Sequence, residues 1–387
     1  MTAFLRDRHI KFLHRGLLVL PGDYVSLDQN RMTLAFFSTA GLDVLGGMDV
    51  VEKEEIIDWV YAQQLIPDHL LHASRDGHDD ECGGESGHGG HGGHGGHGHG
   101  HGHLVDEDNV NHPHLARRAG FRGGSFVGAR YPEVTSDEGC ECALAYDYGH
   151  LAFTYAALCT LAVCDDGLER VDKAAILDAL RKLQLPSGAF SPLAHPSESD
   201  MRFLYTATAV AFMLGDTSAI DADAAVGYIL ASIAFDGGIA QGPGQESHAG
   251  STFCAVGTLR LLGRLGALGD ARTARLIEWL VARQQFGFQG RPNKKTDTCY
   301  SYWVGAALAL LDAYDFVDID SNTSYNLSTQ QSIGGLAKWP DHHPDPLHTH
   351  LGLCGLSLLG YEGLEPINPA LGISARAAAR FGPLPPL

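Results

Sequence analysis

The sequence predicts an all-α fold: a closed ring of helix pairs repeating about every 49 residues. Three observations carry this reading. The first is a repeat. Helical patterns break at glycine in LRKLQLPSGAF, ILASIAFDGGIA, WLVARQQFGFQG and LSTQQSIGGLA, and the aligned Gly188, Gly238, Gly287 and Gly335 stand 50, 49 and 48 residues apart. A fixed period of this size marks stacked helix pairs. The second is the segment after each break: a loop, then a stretch without a polar face. These stretches are HLAFTYAALCTLAV, RFLYTATAVAFML, STFCAVGTLRLLG, CYSYWVGAALALL and HLGLCGLSLLG. Helices apolar all round must be buried on all sides. The third is the kind of helix between them. DKAAILDALRKLQ and DARTARLIEWLVARQQ place apolar residues at helical spacing with charges opposite, as outer helices do. An open solenoid would repeat similarly, but so many fully apolar inner helices favour closure.

An earlier copy of the break is VYAQQLIP (Val60–Pro67). Its glycine half, GFRGG (Gly120–Gly124), is displaced by an insertion. Within that insertion GHGGHGGHGGHGHGHGH (Gly87–His103) holds seven of the 21 histidines and no apolar residue. Such a tract cannot bury a core and is expected to be disordered. It would bind transition metals loosely, whereas a catalytic metal needs ligands fixed by a scaffold.

With 387 residues and 44% of them apolar, the chain can bury one large core. Net charge is −19, which argues against nucleic acid and anionic membrane and suits a basic protein partner. The uncharged runs Leu151–Cys164 and Thr298–Leu311 fall short of the ~20 residues that span a bilayer. The N-terminal MTAFLRDRHIKFLHR carries charge from Arg6 onward, unlike a secretory signal. Eight scattered cysteines then read as reduced thiols, and the expected location is cytoplasmic. HExxH, P-loop, GxSxG and paired CxxC motifs are absent. GPGQES does not complete a dinucleotide fingerprint, and CEC (Cys140–Cys142) reads as an exposed loop.

In a ring of this kind the polar residues that begin the inner helices line one mouth. His248 to Cys299 is 51 residues and Cys299 to His348 is 49, nearly one repeat phase. Asp297, Cys299 and His348 would therefore converge, giving a three-ligand zinc site with an open fourth position. A helix cap at Asp297 with a packed Cys299 accounts for the same residues. In the loop before them, GRPNKK sets Arg291, Lys294 and Lys295 close to Tyr300, with His248 one repeat earlier and Lys338 ten residues before His348. Fixed cations and donors like these stabilise a departing diphosphate. Tyr205, Phe253, Tyr302 and Trp303 would line an aromatic cavity below, suited to a long hydrocarbon with a phosphate headgroup.

FLRDRHIKFLHR, RMTLAFFSTAGLDVL, SDMRFLYTA, GIAQGPGQESHAGSTFC, GRPNKKTDTCYSYWVGA and GGLAKWPDHHPDPLHTHLGLCGLSL resemble the protein prenyltransferase β-subunit family, on its type I geranylgeranyl side. The similarity runs from about residue 4 to about 375 and skips 73–114 and 131–145. Residues 1–387 thus read as a single domain carrying a His/Gly-rich insertion and a variable loop insertion. The resemblance implies an α/α toroid that is an obligate heterodimer with a helical-repeat α subunit. It implies transfer of a geranylgeranyl group from geranylgeranyl diphosphate to the cysteine of a C-terminal CaaX box, usually ending in Leu. Rho/Rac-type small GTPases are the implied acceptors, and stable membrane insertion is not implied.

The family's zinc ligands fall on Asp297, Cys299 and His348. Its diphosphate contacts fall on His248, Arg291, Lys294 and Tyr300, and its isoprenoid and peptide contacts on Arg202, Tyr205, Gly250 and Trp303. Where the farnesyl enzymes carry a bulky Trp closing the isoprenoid pocket, this sequence has Thr33. Where they carry an Asp that helps bind Mg²⁺, it has Lys338, so one Zn²⁺ and no Mg²⁺ is the implied cofactor set. Ala249 stands where the family has glycine. Two alternatives are a farnesyl-type β subunit, which Thr33 and Lys338 oppose, and a metal-handling protein that works through the His/Gly tract.

Overall fold

The computed structural model describes residues 3–20, 22–66, 119–125, 148–194 and 197–386. Both expected insertions, 73–114 and 131–145, lie outside the described residues, as do Cys82, Cys140 and Cys142.

Six inner helices form the barrel: α2 (Arg31–Val44), α4 (Leu151–Val163), α6 (Met201–Met213), α8 (Ala249–Leu261), α10 (Tyr300–Leu310) and α12 (Pro346–Leu358). Each packs on the next, and α12 packs on α2, so the ring closes. Five of the six are the apolar stretches of the repeat. The sixth, α2, precedes the first recognisable break and completes the circle. Small residues let the inner helices approach closely. A Cβ at Gly355 would lie 2.5 Å from Ser301 Cβ, so α12 and α10 require glycine there.

The outer layer is α1 (Arg6–Leu18), α3 (Lys53–Tyr61), α5 (Lys173–Leu183), α7 (Ala222–Ala231), α9 (Gly269–Val281) and α11 (Ile319–Ser328). Asp172, Asp221 and Asp318 cap α5, α7 and α11 by accepting a backbone N–H at their third residue. A glutamine makes four of the links between outer helices, Ile233 standing at that place between α7 and α9. Gln184 accepts from the Asp221 N–H and donates to the Asp221 carbonyl. Gln284 does the same at Asp318. Gln64 accepts from Asp172 N–H and donates to the Arg170 carbonyl. Gln330 repeats the pattern across the closure of the ring, accepting from the N–H of Leu5 at the start of α1. The same side-chain clamp that joins the repeats thus also seals the last to the first.

The glycine breaks are short antiparallel turns, bridged at Gln184–Phe190, Ile233–Ile239, Gln284–Phe288 and Gln330–Leu336. The earliest copy is a pair of two-residue strands, β1 (Gln64–Leu65) and β2 (Gly120–Phe121), with Gln64 opposite Phe121. The same turn is therefore present there, split by a long insertion. In three repeats an inner-helix threonine fixes this turn: Thr154, Thr252 and Thr349 accept the N–H of Phe121, Ile239 and Leu336. A hairpin of β3 (Ile367–Asn368) and β4 (Ile373–Ser374), with α13 (Ala375–Ala378) after it, completes the described elements. Cys159, Cys164, Cys254, Cys299 and Cys354 are free and buried. Among the described residues no helix is long and apolar enough to cross a membrane.

His150 caps α4 through Nδ1, and burial drives its pKa down to about 4. It is held neutral in the fold while the unfolded chain takes up a proton below about pH 6.5. The stability it contributes is therefore present above pH 6.5 and is lost as pH falls towards 4. Between pH 7 and 5 this loss is about 2 kcal/mol. His150→Asn keeps a capping side chain without the titration. The unfolding free energy of the unmodified protein relative to the variant should fall by that amount between pH 7 and 5 in denaturant titrations, and parallel pH profiles would disprove the assignment.

Candidate functional site

The candidate site begins where two successive repeats hand the chain from loop to inner helix. Asp297 Oδ1 accepts the Cys299 N–H at 3.0 Å, which fixes the carboxylate over the start of α10. One repeat later Asp345, with Pro346 next to it, caps α12 by accepting the His348 N–H at 2.9 Å. Its other oxygen takes His348 Nδ1 at 2.6 Å. The Nδ1 proton is thereby committed to Asp345, and Nε2 faces Asp297 Oδ1 at 3.3 Å. One donor atom each from Asp297, Cys299 and His348 lies within 4.8 Å of the others. Lys338 Nζ stands 3.6 Å from Asp297 Oδ2.

Strict repeat phase aligns these residues differently from their spacing in the sequence. His150, Asp200, His248 and Asp297 each accept the N–H two residues on and stand 50, 48 and 49 residues apart. His248 is thus equivalent to Asp297 rather than to Cys299, and the next equivalent is Asp345 rather than His348. Convergence survives because Cys299 and His348 lie within one turn of those caps. Asp297 holds the Cys299 N–H just ahead of α10, whose N-cap is Cys299 itself, Cys299 is buried, and the same geometry gathers the metal-type donors.

Burial opposes charge on His348, but its bonds to Asp297 and Asp345 outweigh this and carry its pKa up to about 9. Burial likewise opposes charge on Asp297, yet the His348 and Cys299 hydrogen bonds hold its carboxyl below the usual range. Burial and the neighbouring Asp297 carboxylate push the Cys299 thiol well up. Without a metal the cluster is therefore an Asp–His ion pair beside a protonated thiol. A carboxylate oxygen, a thiol sulfur and an imidazole nitrogen with its second nitrogen tied to a carboxylate form a donor set that fits Zn²⁺ and a three-ligand catalytic geometry.

Next to this cluster, His248 Nδ1 accepts the Gly250 N–H, so its proton sits on Nε2, 3.1 Å from Tyr300 Oη. Burial, reinforced by the Arg291 cation, lowers the His248 pKa and keeps the ring neutral. His248 then donates to the Tyr300 oxygen, leaving the phenolic proton free to donate outward. Arg291 pairs with Glu246 at 2.6 Å. Arg202 is held by Asp200 and Glu198 at 2.7 and 2.8 Å. Lys294 is exposed. Lys295 and Lys338 both flank the Trp339 ring, at 5.6 and 4.8 Å. Ala249 is fully buried and donates to the Gly290 carbonyl at 2.7 Å.

Inside the ring is a cavity of about 710 Å³ whose lining includes Thr33, Arg202, Tyr205, His248, Gly250, Arg291 and Trp303. Of the aromatic groups expected there, Tyr302 also lines it. Phe253 stands behind, fully buried, with its ring 5.1 Å from Tyr205 and 5.0 Å from Trp303.

The prenyltransferase alpha-alpha toroid domain matches residues 4–373. The chain belongs to the prenyltransferase alpha-alpha toroid family. It is 36% identical over 382 residues to the geranylgeranyl transferase type-1 subunit beta of Dictyostelium discoideum, covering 97% of this chain and 96% of that one. It is 33% identical over 385 residues to the geranylgeranyl transferase type-1 subunit beta of Arabidopsis thaliana, covering 97% and 90%. The solved structure of Candida albicans protein geranylgeranyltransferase-I complexed with GGPP superposes with a TM-score of 0.75 at 25% identity, covering 98% of both chains. Within the toroid family this prenyltransferase stands with the type-1 geranylgeranyl β subunits.

Two parts of this prenyltransferase's site are missed by reading the sequence alone. Asp345 orients His348, and its signal was present in DPLH, an Asp cap before a Pro at the first helical position. Asp345→Asn preserves the cap but loses the carboxylate that fixes the ring. Zinc affinity should fall about 10–100-fold in titrations against a competing chelator; unchanged affinity would show that Asp345 only caps. The other omission is a further part of the cavity lining, Tyr155, His350 and Gly372. No local motif marks these residues.

Proposed function

We propose that the chain is the catalytic β subunit of a type I protein geranylgeranyltransferase, working as an obligate heterodimer with a helical-repeat α subunit in the cytoplasm. It joins geranylgeranyl from geranylgeranyl diphosphate to the cysteine of C-terminal CaaX segments, usually ending in Leu, with Rho/Rac-type small GTPases as acceptors. One observation carries the reading: a mostly apolar cavity lined by His248 and Arg291, with His248 bonded to Tyr300, the residue that follows Cys299 in the Asp297, Cys299 and His348 donor set.

The acceptor sulfur attacks C1 of the isoprenoid, a C–S bond forms, and the C1–O bond breaks with its electron pair leaving on diphosphate. Zn²⁺ held by Asp297, Cys299 and His348 would supply the Lewis acidity that keeps the acceptor thiol ionised at neutral pH. The chain's own residues do the rest. Asp345 orients His348. His248 fixes Tyr300 so that its hydroxyl donates to a departing phosphate oxygen, and Arg291, Lys294 and Lys338 set positive charge along the rim before the bond breaks. Arg202, Tyr205, Gly250 and Trp303 shape the cavity wall against isoprenoid and peptide.

Lys338 supplies a charge that a bound Mg²⁺ would otherwise provide, so transfer should be independent of Mg²⁺. Lys338→Asp should lower kcat by about 10²-fold without Mg²⁺ and recover partly with it. A Mg²⁺ requirement in the unmodified enzyme would refute this role. The reading as a whole is tested by co-expression with an α subunit. The heterodimer should hold one Zn²⁺ and transfer geranylgeranyl to a CaaL peptide. Faster transfer from farnesyl diphosphate to the same peptide would sink it.

A further inference from the structure

Three successive loops that lead into inner helices are built alike. Each opens with an antiparallel bridge: Ala240–Ser247, Gln289–Thr296 and Ala337–Pro344. Each then runs through a proline, Pro243, Pro292 or Pro340. The next residue has a positive φ, at Gly244 75°, at Asn293 63° and at Asp341 63°. This register makes Trp339 the counterpart of Arg291, and Lys295 the counterpart of Glu246. Arg291 reaches back to Glu246 of the preceding loop at 2.6 Å. Trp339 makes the same reach one repeat later, where Lys295 Nζ stands 5.6 Å from the centre of its ring. The ion pair between one pair of loops is thus replaced by a cation–π contact between the next. Lys338 brings a second cation to the ring, at 4.8 Å. The Trp339 Nε1 is buried and has no hydrogen-bond partner among the described residues, so the ring is engaged through its π system and not through its N–H. The backbone beside it is tied to the metal-type donors. Thr298, between Asp297 and Cys299, donates through Oγ1 to the Ala337 and Lys338 carbonyls at 2.6 and 3.1 Å.

We propose that Trp339 is a positioning residue whose ring holds the Lys338 and Lys295 ammonium groups together, so that the rim keeps two uncancelled lysine charges for the departing diphosphate. Arg202 and Arg291 are each fixed by carboxylates, which offset their charge. An aromatic ring fixes an ammonium without offsetting it. Asp297 also draws Lys338, at 3.6 Å, but that carboxylate already serves His348 and the Cys299 N–H. Lysine reaches its partners through a flexible four-carbon stem, so a charge that must stand ready before the bond breaks needs a holder. Two cations gathered on one ring repel each other. That arrangement adds little to the fold and suits a place that receives an anion.

The platform rests on the transferase reading, and the experiment separates the two. The heterodimer is assayed with geranylgeranyl diphosphate and a CaaL peptide without Mg²⁺, and its binding of inorganic diphosphate is measured by calorimetry. Trp339→Leu should lower kcat/KM about tenfold and weaken diphosphate binding by a similar factor, within the range a cation–π contact supplies. Trp339→Phe keeps a weaker ring and should lose about half as much on a logarithmic scale. A double-mutant cycle decides whether the ring acts through the lysines. In a Lys295→Met, Lys338→Met background, Trp339→Leu should cost less than about twofold in diphosphate binding, because the groups it holds are gone. An equal cost in both backgrounds would mean that the ring only builds the loop, and it overturns the proposal. So does diphosphate binding that Trp339→Leu leaves unchanged. Should Trp339→Leu fail to assemble, Trp339→Phe is carried through the same cycle. An unmodified heterodimer that binds diphosphate through Trp339 yet transfers no isoprenoid fails the function while the platform stands.

Discussion

Cys299→Ala is expected to abolish thioether formation, lowering kcat on the order of a thousandfold or more, while the heterodimer stays folded. The structure separates these two outcomes. Cys299 is buried, and its sulfur contributes little to the core beyond its own volume, so the loss in stability should be small. Its backbone N–H, bonded to Asp297, remains in the variant. Asp297 is not orphaned either, because His348 Nε2 and Lys338 Nζ stay within 3.3 and 3.6 Å of its two oxygens. What would disappear is the soft donor of the proposed Zn²⁺ set, which favours Zn²⁺ over harder cations. Zinc content per heterodimer and single-turnover transfer to a CaaL peptide check the two halves separately. A variant that still holds one Zn²⁺ per β subunit and transfers at full rate would remove Cys299 from the metal site.

The ring was legible because its period is carried by residues the backbone demands. Glycine breaks, amphipathic outer helices and wholly apolar inner helices each repeat, and each has one structural explanation. The insertion between Val60–Pro67 and Gly120–Gly124 did not hide the first turn, since Gln64 and Phe121 pair as their counterparts do. The first inner helix was less legible. No glycine break precedes α2, because a 3-10 segment, Gly22–Asn30, takes its place between α1 and α2.

The metal-type cluster was legible by spacing, though for a reason that needed correction. Residues at equal phase in a ring share a height, and one helical turn of offset still leaves Cys299 and His348 facing one point. The phosphate side was less so. Lys294, close in sequence to Arg291, is exposed, whereas Lys338, 41 residues beyond Asp297, reaches the Asp297 carboxylate. The cavity lining at Tyr155, His350 and Gly372 was not legible at all. It depends on which face of each inner helix looks inward and on a C-terminal hairpin that carries no repeat, and neither can be read without the fold.

Thr33→Trp is the second large expectation, and it tests the wall of the cavity. Thr33 sits in the first turn of α2 and lines the cavity with Phe36 and Phe37 from the next turn. It is half-buried, so an indole can enter the cavity without displacing the helix from its neighbours α4 and α12. The added ring takes up space that several carbons of a long donor would need. A pocket discriminates one methylene by roughly 10–200-fold. Loss of room for a five-carbon unit should therefore cost geranylgeranyl diphosphate about 10²-fold in kcat/KM and leave farnesyl diphosphate nearly unaffected, so that preference between the two inverts. Competition between both donors for one CaaL peptide reads the ratio directly. Because Thr33 lines the cavity and none of Asp297, Cys299 and His348 does, zinc content should not change, and a variant that loses zinc would be reporting damage rather than specificity. With zinc retained, an unaltered donor ratio would mean that the twenty-carbon chain does not pass Thr33. The space that distinguishes the two donors would then have to lie elsewhere in the cavity.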